Sequence, residues 1–470
     1  MTKGQGGETC DLLVANAYLL TMDAKRRVIA NGAIAITGRK IVAVGTEAEL
    51  RKKYRARQVL DCGGATVHPG LIDTHYHTTL HTTRGAVTDD PNAFADLGDK
   101  PHPYAVWFNK LTDADEEASA RHAAAEALLN GVTCLMEAGT VFEPDIAAGA
   151  IESVGLRGSV TDPFLWDVTE GMSMTKQIDR APCNAQVAMQ RLGSQLFRNQ
   201  DEDALVKGHI TLYGMSTCST ELTIAGKKAA DEAGVVFAQH QNFEPGDTGF
   251  DDNRWGKHAL VHLAEIGALG PNSLFVHMNY LRDDEVEAVA SSGMSITWHP
   301  GNYQFYGLAL AQRTRMPELI KKGVNLTFGT DAAKIWTFGE MARIAYLVAR
   351  EEGGYVPCET LLEMQTVGAA KAVCRSDELG SIEPGKRADI VIRRNDLGET
   401  NPALDPIREL MLISPAKSVD TVIVDGRVVV RHGKLTLADE REIYANARAS
   451  ARRVAAAVGL KPGTRWAANG

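Results

Sequence analysis

Paired cysteines, long apolar runs and clustered basic residues are all missing from this chain. Its seven cysteines (Cys10, Cys62, Cys134, Cys183, Cys218, Cys358 and Cys374) are scattered and form no Cys-x-x-Cys pair. That excludes a disulfide-framed scaffold and predicts reduced thiols in a cytoplasmic protein. No stretch approaches the ~20 continuous apolar residues of a membrane span. The polar, glycine-rich start carries no charged-then-apolar leader. With a net charge of −9 and no basic cluster, a nucleic-acid partner is not expected. Hydrophobic residues make up 44% and charged residues 23%, so intrinsic disorder is not expected either.

What is present is a chain of 470 residues, more than one core normally serves. Residues 11 to 60 hold four short apolar runs separated by turn formers such as Asn31-Gly32, the spacing of a small β-sandwich or meander. From Pro69 the rhythm becomes helix, glycine, apolar strand. The Ala-rich helix over 114–130 closes at Gly131 before Val132-Thr133-Cys134-Leu135-Met136. Equivalent units end in strands over 235–238, 274–276, 294–297 and 324–328. Helices ended by glycine and followed by buried strands predict a parallel sheet. About eight such units make a (β/α)8 barrel. The segment from Val160 to Tyr213 is the least legible. After a helix over 359–373, β character returns at 388–392 and in a hairpin across Asp425-Gly426, followed by a terminal helix over 438–457. The fold class is therefore α/β. The barrel spans 69–378, and the β-sandwich is composite, from 1–68 and 379–470.

His75-Tyr76-His77 follows the apolar run Gly70-Leu71-Ile72. Residues two apart on a strand share a face, so the two imidazoles can converge on one cation. Other predicted strands also end in ligand-type residues: His240, His277, His299 and Asp331. In a barrel these carboxyl ends face one mouth, where chemistry sits. Imidazole and carboxylate donors suit Zn, Co, Fe or Mn. Lys207, which a two-metal site would use in carboxylated form, precedes its apolar run, so one metal ion is expected.

In this order the motifs resemble the amidohydrolase superfamily. Its marks are Pro69-Gly70-Leu71-Ile72-Asp73 with His75 and His77, Asn130-Gly131-Val132-Thr133, His240, His277, Gly329-Thr330-Asp331, and the run from Gly380 to Asp389. The chain is most similar to the branch of triazine hydrolases and nucleobase or nucleoside deaminases. The resemblance implies that His75, His77, His240 and Asp331 bind one divalent transition-metal ion per subunit, zinc foremost, in a homo-oligomer. It also implies that Asp331 carries the proton and that His277 orients the attacking water or a substrate oxygen. A bound divalent metal lowers the pKa of water from roughly 15.7 to about 7.

Two departures bear on the substrate. Phe243 stands where deaminases of this branch carry a glutamate, with Glu244 one place later, and Gly214-Met215-Ser216-Thr217 replaces a Pro-His segment. The run Gln241-Asn242-Phe243-Glu244-Pro245 is similar to that of phenylurea and thiocarbamate herbicide hydrolases. The favoured substrate is then a small neutral urea, carbamate, thiocarbamate or anilide, cleaved at its carbonyl C–N or C–S bond. The alternatives are an aminohydrolase acting on an N-heterocycle and a non-catalytic scaffold, the latter disfavoured by the intact ligand set. Glu244 is a catalytic candidate, and Asn242, Trp298, His299 and Asn302 are candidates for substrate contact. Candidate aromatic lining comprises Trp107, Phe108, Phe164, Trp166, Trp298, Tyr303, Phe305, Tyr306 and Trp336. For His81 a structural hydrogen bond is expected.

Overall fold

Strands buried on both faces build the middle of the chain, as a parallel sheet covered by helices requires. The computed structural model describes residues 7–85, 100–332, 334–413 and 416–460; the glycine-rich start up to residue 6 lies outside them. The barrel strands are β1 (Leu71–Tyr76), β2 (Val132–Glu137), β3 (Arg157–Val160), β4 in two pieces (Val206–Gly208 and Ile210–Gly214), β5 (Phe237–Gln241), β6 (Ser273–His277), β7 (Ser295–Trp298) and β8 (Asn325–Phe328). All pair in parallel, as a four-stranded set from β1 and a five-stranded set ending at β8. Because β4 is counted in both sets, the barrel has eight strands. It closes where the Asp331 amide donates to the His75 carbonyl at 2.9 Å and the His77 amide donates to the Asp331 carbonyl at 3.2 Å. A side chain at Gly329 would place its Cβ 2.8 Å from the His75 Cβ and 2.9 Å from the His75 carbonyl oxygen, so this seam needs glycine.

Inside, the Thr74 hydroxyl lies 2.8 Å from each of the Thr297 and Thr327 hydroxyls. A polar knot thus fills a layer that branched aliphatic residues usually occupy.

Strands from both chain ends join one nine-stranded sheet. The seam is antiparallel, Val67, His68 and Pro69 facing Ile392, Val391 and Ile390. The hairpin of Val419–Val424 and Arg427–Arg431 turns at Asp425 and Gly426, whose φ values of 52° and 77° are those its type of two-residue turn demands.

Two expectations shift. The single helix expected over 359–373 is two, Cys358–Gln365 and Val367–Ala372, broken at Thr366, whose hydroxyl donates to the Leu362 carbonyl at 2.7 Å. The opaque stretch after β3 is mostly loop and short helix: Ser173–Lys176, Ala185–Arg191 and Ser194–Gln200. No described helix is long and apolar enough to cross a membrane, and all seven cysteines are unpaired.

Candidate active site

The backbone first fixes β1 to the end of β8. The Asp73 carboxylate accepts the His75 amide at 3.1 Å, the Thr330 amide at 3.0 Å and the Thr330 hydroxyl. Burial pushes this carboxyl up to about 7 even so. With β1 so anchored, His75 and His77 project to the barrel mouth, their Nε2 atoms 3.2 Å apart. The His240 Nε2, from the end of β5, lies 3.3 Å from that of His77. Asp331 Oδ1 is 3.4 Å from His77 Nε2. Residues distant in sequence thus meet in one cluster.

The outward ring nitrogens fix how the cluster is charged. His240 Nδ1 donates to the Tyr213 carbonyl at 2.7 Å, which leaves its Nε2 a bare lone pair. His77 Nδ1 lies 2.8 Å from the Thr140 hydroxyl. Burial lowers the pKa of all three imidazoles, that of His77 to about 3 and that of His75 well below the ordinary value. Burial alone would raise the Asp331 carboxyl, but Lys334 and the surrounding imidazoles hold it well below the usual range. Neutral imidazoles with converging lone pairs beside an ionised carboxylate are the donor set of a divalent transition metal. His75, His77, His240 and Asp331 fit that ion.

His277 ends β6 with φ at +75°, and Asp331 follows β8 with φ at +58°. Non-glycine residues in this region are strained, a state that clusters at functional sites. The strain aims His277 Nε2 to 3.9 Å from Asp331 Oδ2. The Phe243 ring packs edge-on against His277 at 4.8 Å. Asn302 donates its side-chain amide to Asp331 Oδ2.

The cluster opens into a cavity of about 510 Å³. Phe108 and Tyr306 line it as expected, and so do Glu244 and Asn302. Several expected residues do not. Trp298 packs against Phe328 in the core, because Thr297 takes the inward face of β7. Asn242 spends its side-chain amide on the Tyr280 carbonyl at 2.9 Å and Glu285 at 3.0 Å. His299 uses both ring nitrogens, one 2.7 Å from the Thr330 carbonyl and one accepting the Asn302 amide at 2.9 Å. It shapes the turn that presents Asn302 and does not reach the cavity. Trp107, Phe164, Trp166, Tyr303, Phe305 and Trp336 also lie behind the wall. His81 bonds the Tyr76 hydroxyl and lies 3.3 Å from Glu126, so its part is to brace β1. Lys207 turns to the Asp201 carbonyl, away from the cluster.

Sequence reasoning missed Tyr104, Thr140, Tyr213 and Lys334, all on the cavity wall. Gly139-Thr140, just beyond the strand predicted to end at Met136, was a usable signal, since barrel chemistry gathers after strand ends. Tyr213 works through its backbone, which no side-chain pattern reveals.

Over residues 32–56 the chain matches a bacterial imidazolonepropionase-like composite domain. It is 27% identical over 469 residues to a 5-methylthioadenosine/S-adenosylhomocysteine deaminase of Syntrophobacter fumaroxidans, covering 96% of this chain and 99% of that one. Among solved structures, an adenosine deaminase from Xanthomonas campestris with bound zinc superposes with a TM-score of 0.85 at 23% identity, covering 96% of this chain and all of that one. The zinc complex of an atrazine chlorohydrolase from Arthrobacter aurescens gives 0.81 at 23% identity, covering 94% and 100%. These two establish the shared fold. The expected likeness to phenylurea and thiocarbamate hydrolases finds no support in these names. Residues 66–429 match the amidohydrolase family, so the chain belongs to that family and is a metal-dependent hydrolase of carbon–nitrogen bonds.

Proposed function

We propose that the enzyme is an aminohydrolase of N-heterocycles, replacing an exocyclic amino group with oxygen and releasing ammonia. The observation that carries this reading is the end-to-end likeness to a curated deaminase of adenosine-type compounds. The cavity supports it, with Tyr104, Phe108, Tyr213, Phe243 and Tyr306 supplying the flat apolar walls a heteroaromatic ring prefers. Ureas and thiocarbamates rest on the local run 241–245 alone. Asn242, the residue of that run expected at the substrate, is turned away from the cavity.

A divalent ion held by His75, His77, His240 and Asp331 would supply Lewis acidity, which would make water a competent nucleophile at neutral pH. Asp331 holds the attacking water, accepts its proton and returns it to the departing amine. Asn302 keeps the Asp331 carboxylate turned toward that task. His277, whose Nε2 stands 3.9 Å from Asp331 Oδ2, hydrogen-bonds the oxygen of the attacking water and holds it toward the ring carbon. Glu244 lines the cavity, and burial raises its pKa, which suits a proton donor to a ring nitrogen although it stands one place beyond the expected position.

The test is product analysis on zinc-loaded protein across purine nucleosides, pterins and triazines, with ureas, carbamates, thiocarbamates and anilides alongside. Ammonia from at least one heterocycle is expected. Turnover confined to the ureas or thiocarbamates overturns the reading.

A further inference from the structure

Lys334 is the one lysine or arginine on the cavity wall among the described residues, and it is 7% exposed. Its ammonium stands 5.6 Å from the centre of the Tyr306 ring and 5.5 Å from that of Trp336, within cation–π range of both. Its one hydrogen bond among the described residues is a long one, 3.4 Å to the Ala332 carbonyl. An ammonium carries three donors, so most of this group's capacity is unspent. No carboxylate lies within ion-pairing distance of it among the described residues. Burial lowers the pKa of this amine, and Asp331, a member of the cation-binding set, acts across space to keep it protonated.

A buried cation with no ion-pair partner among the described residues is costly, and a ligand that supplies a counter-charge offsets that cost. The Tyr306 and Trp336 rings flank the ammonium. At 7% exposure it is largely shielded from water, so a charge-assisted bond made there is stronger than on a surface.

We propose that Lys334 is a specificity-determining residue that binds an anionic group, a carboxylate in the simplest case, on the ring system of the substrate. The preferred substrates are therefore amino-substituted heterocycles bearing a negative charge rather than neutral nucleosides. This deepens the aminohydrolase reading and rests on it.

The experiment measures binding of benzoate and benzamide, planar probes of nearly equal size, by calorimetry on protein titrated to full zinc occupancy. Wild type is expected to favour benzoate by about tenfold, the worth of one charge-assisted hydrogen bond. Lys334→Met should abolish the preference while Lys334→Arg keeps it. Lys334→Gln serves in place of the methionine variant if that one does not fold. Equal binding of both probes by wild type overturns the proposal. So does a preference that survives in Lys334→Met or Lys334→Gln, since benzoate would then be held by the zinc ion itself. Ammonia release from pterin and from pterin-6-carboxylate separates the two ideas. Turnover of pterin with no gain for the carboxylate sinks the Lys334 role and leaves the aminohydrolase standing. A benzoate preference in protein that releases ammonia from no heterocycle does the reverse.

Discussion

Asn302 binds Asp331 Oδ2 through its side-chain amide, while Oδ1 of the same carboxylate stays 3.4 Å from His77. Oδ2 is thereby held by Asn302, while Oδ1, which also accepts the Ala332 amide at 2.5 Å, faces the imidazole cluster. His299 holds the turn that makes this possible, accepting the Asn302 backbone amide.

Removing that amide should impair turnover more than binding. Asn302→Ala is expected to lower kcat by roughly 10- to 100-fold, the usual penalty for losing a partner of a ligating group. Zinc content and Tm should stay near wild type. Steady-state kinetics with a metal assay check it, and an unchanged kcat would remove Asn302 from the account. Asp331→Asn, by contrast, is expected to fold and to lose turnover altogether.

Thr140 tests the orientation of His77. Thr140→Val keeps the shape but leaves His77 Nδ1 without its 2.8 Å partner. Zinc affinity should drop by roughly 10- to 100-fold in competition with a chelator. Stripping the metal from wild type should abolish activity, and added zinc should restore it.

Arg157 joins the barrel to the outer sheet. Fully buried on β3, it donates to Asp389 at 2.9 and 3.1 Å and to Asp425 at 2.9 Å. Breaking such a pair strands buried carboxylates, at a cost of about 3–5 kcal/mol. Arg157→Met should therefore unfold at much lower urea concentration, with both parts melting together.

Glu116 gives stability a pH signature. Burial pushes its carboxyl up to about 7, against an ordinary value of 4.5; the Phe142 amide and Arg180 only partly oppose this. Between those two values the folded chain keeps a proton that the unfolded chain has lost, so stability falls as pH rises through that window. Across it the loss is about 3 kcal/mol. Glu116→Gln cannot ionise, so relative to wild type it should gain stability from pH ~4.5 to ~7 and keep the gain above. Urea unfolding of both proteins across that range measures the difference. A constant gap between them would sink the assignment.

How far the sequence reached is clearest around β5 and β7. His240 was legible because it ends an apolar run after a glycine-closed helix. Asn242 was misplaced for a definite reason. Two residues on, strand alternation puts it on the face of His240, but β5 stops at Gln241 and Asn242 turns to φ +48°, swinging its side chain to Glu285. Trp298 failed differently. Parallel barrel strands are buried on both faces, so hydrophobicity cannot say which face points inward. Register does, and it chose Thr297.

The sequence by itself determined the order of elements, the pairing of β segments from the two chain ends, and the residue types that close each barrel strand. Local periodicity and turn chemistry encode those directly. Only the tertiary structure decided which of those residues share the cavity, that Asn302 serves Asp331, and that Lys334 stands on the cavity wall with no ion pair among the described residues. Those relations span loops and left-handed backbone turns, and short-range pattern carries no information about where such turns point.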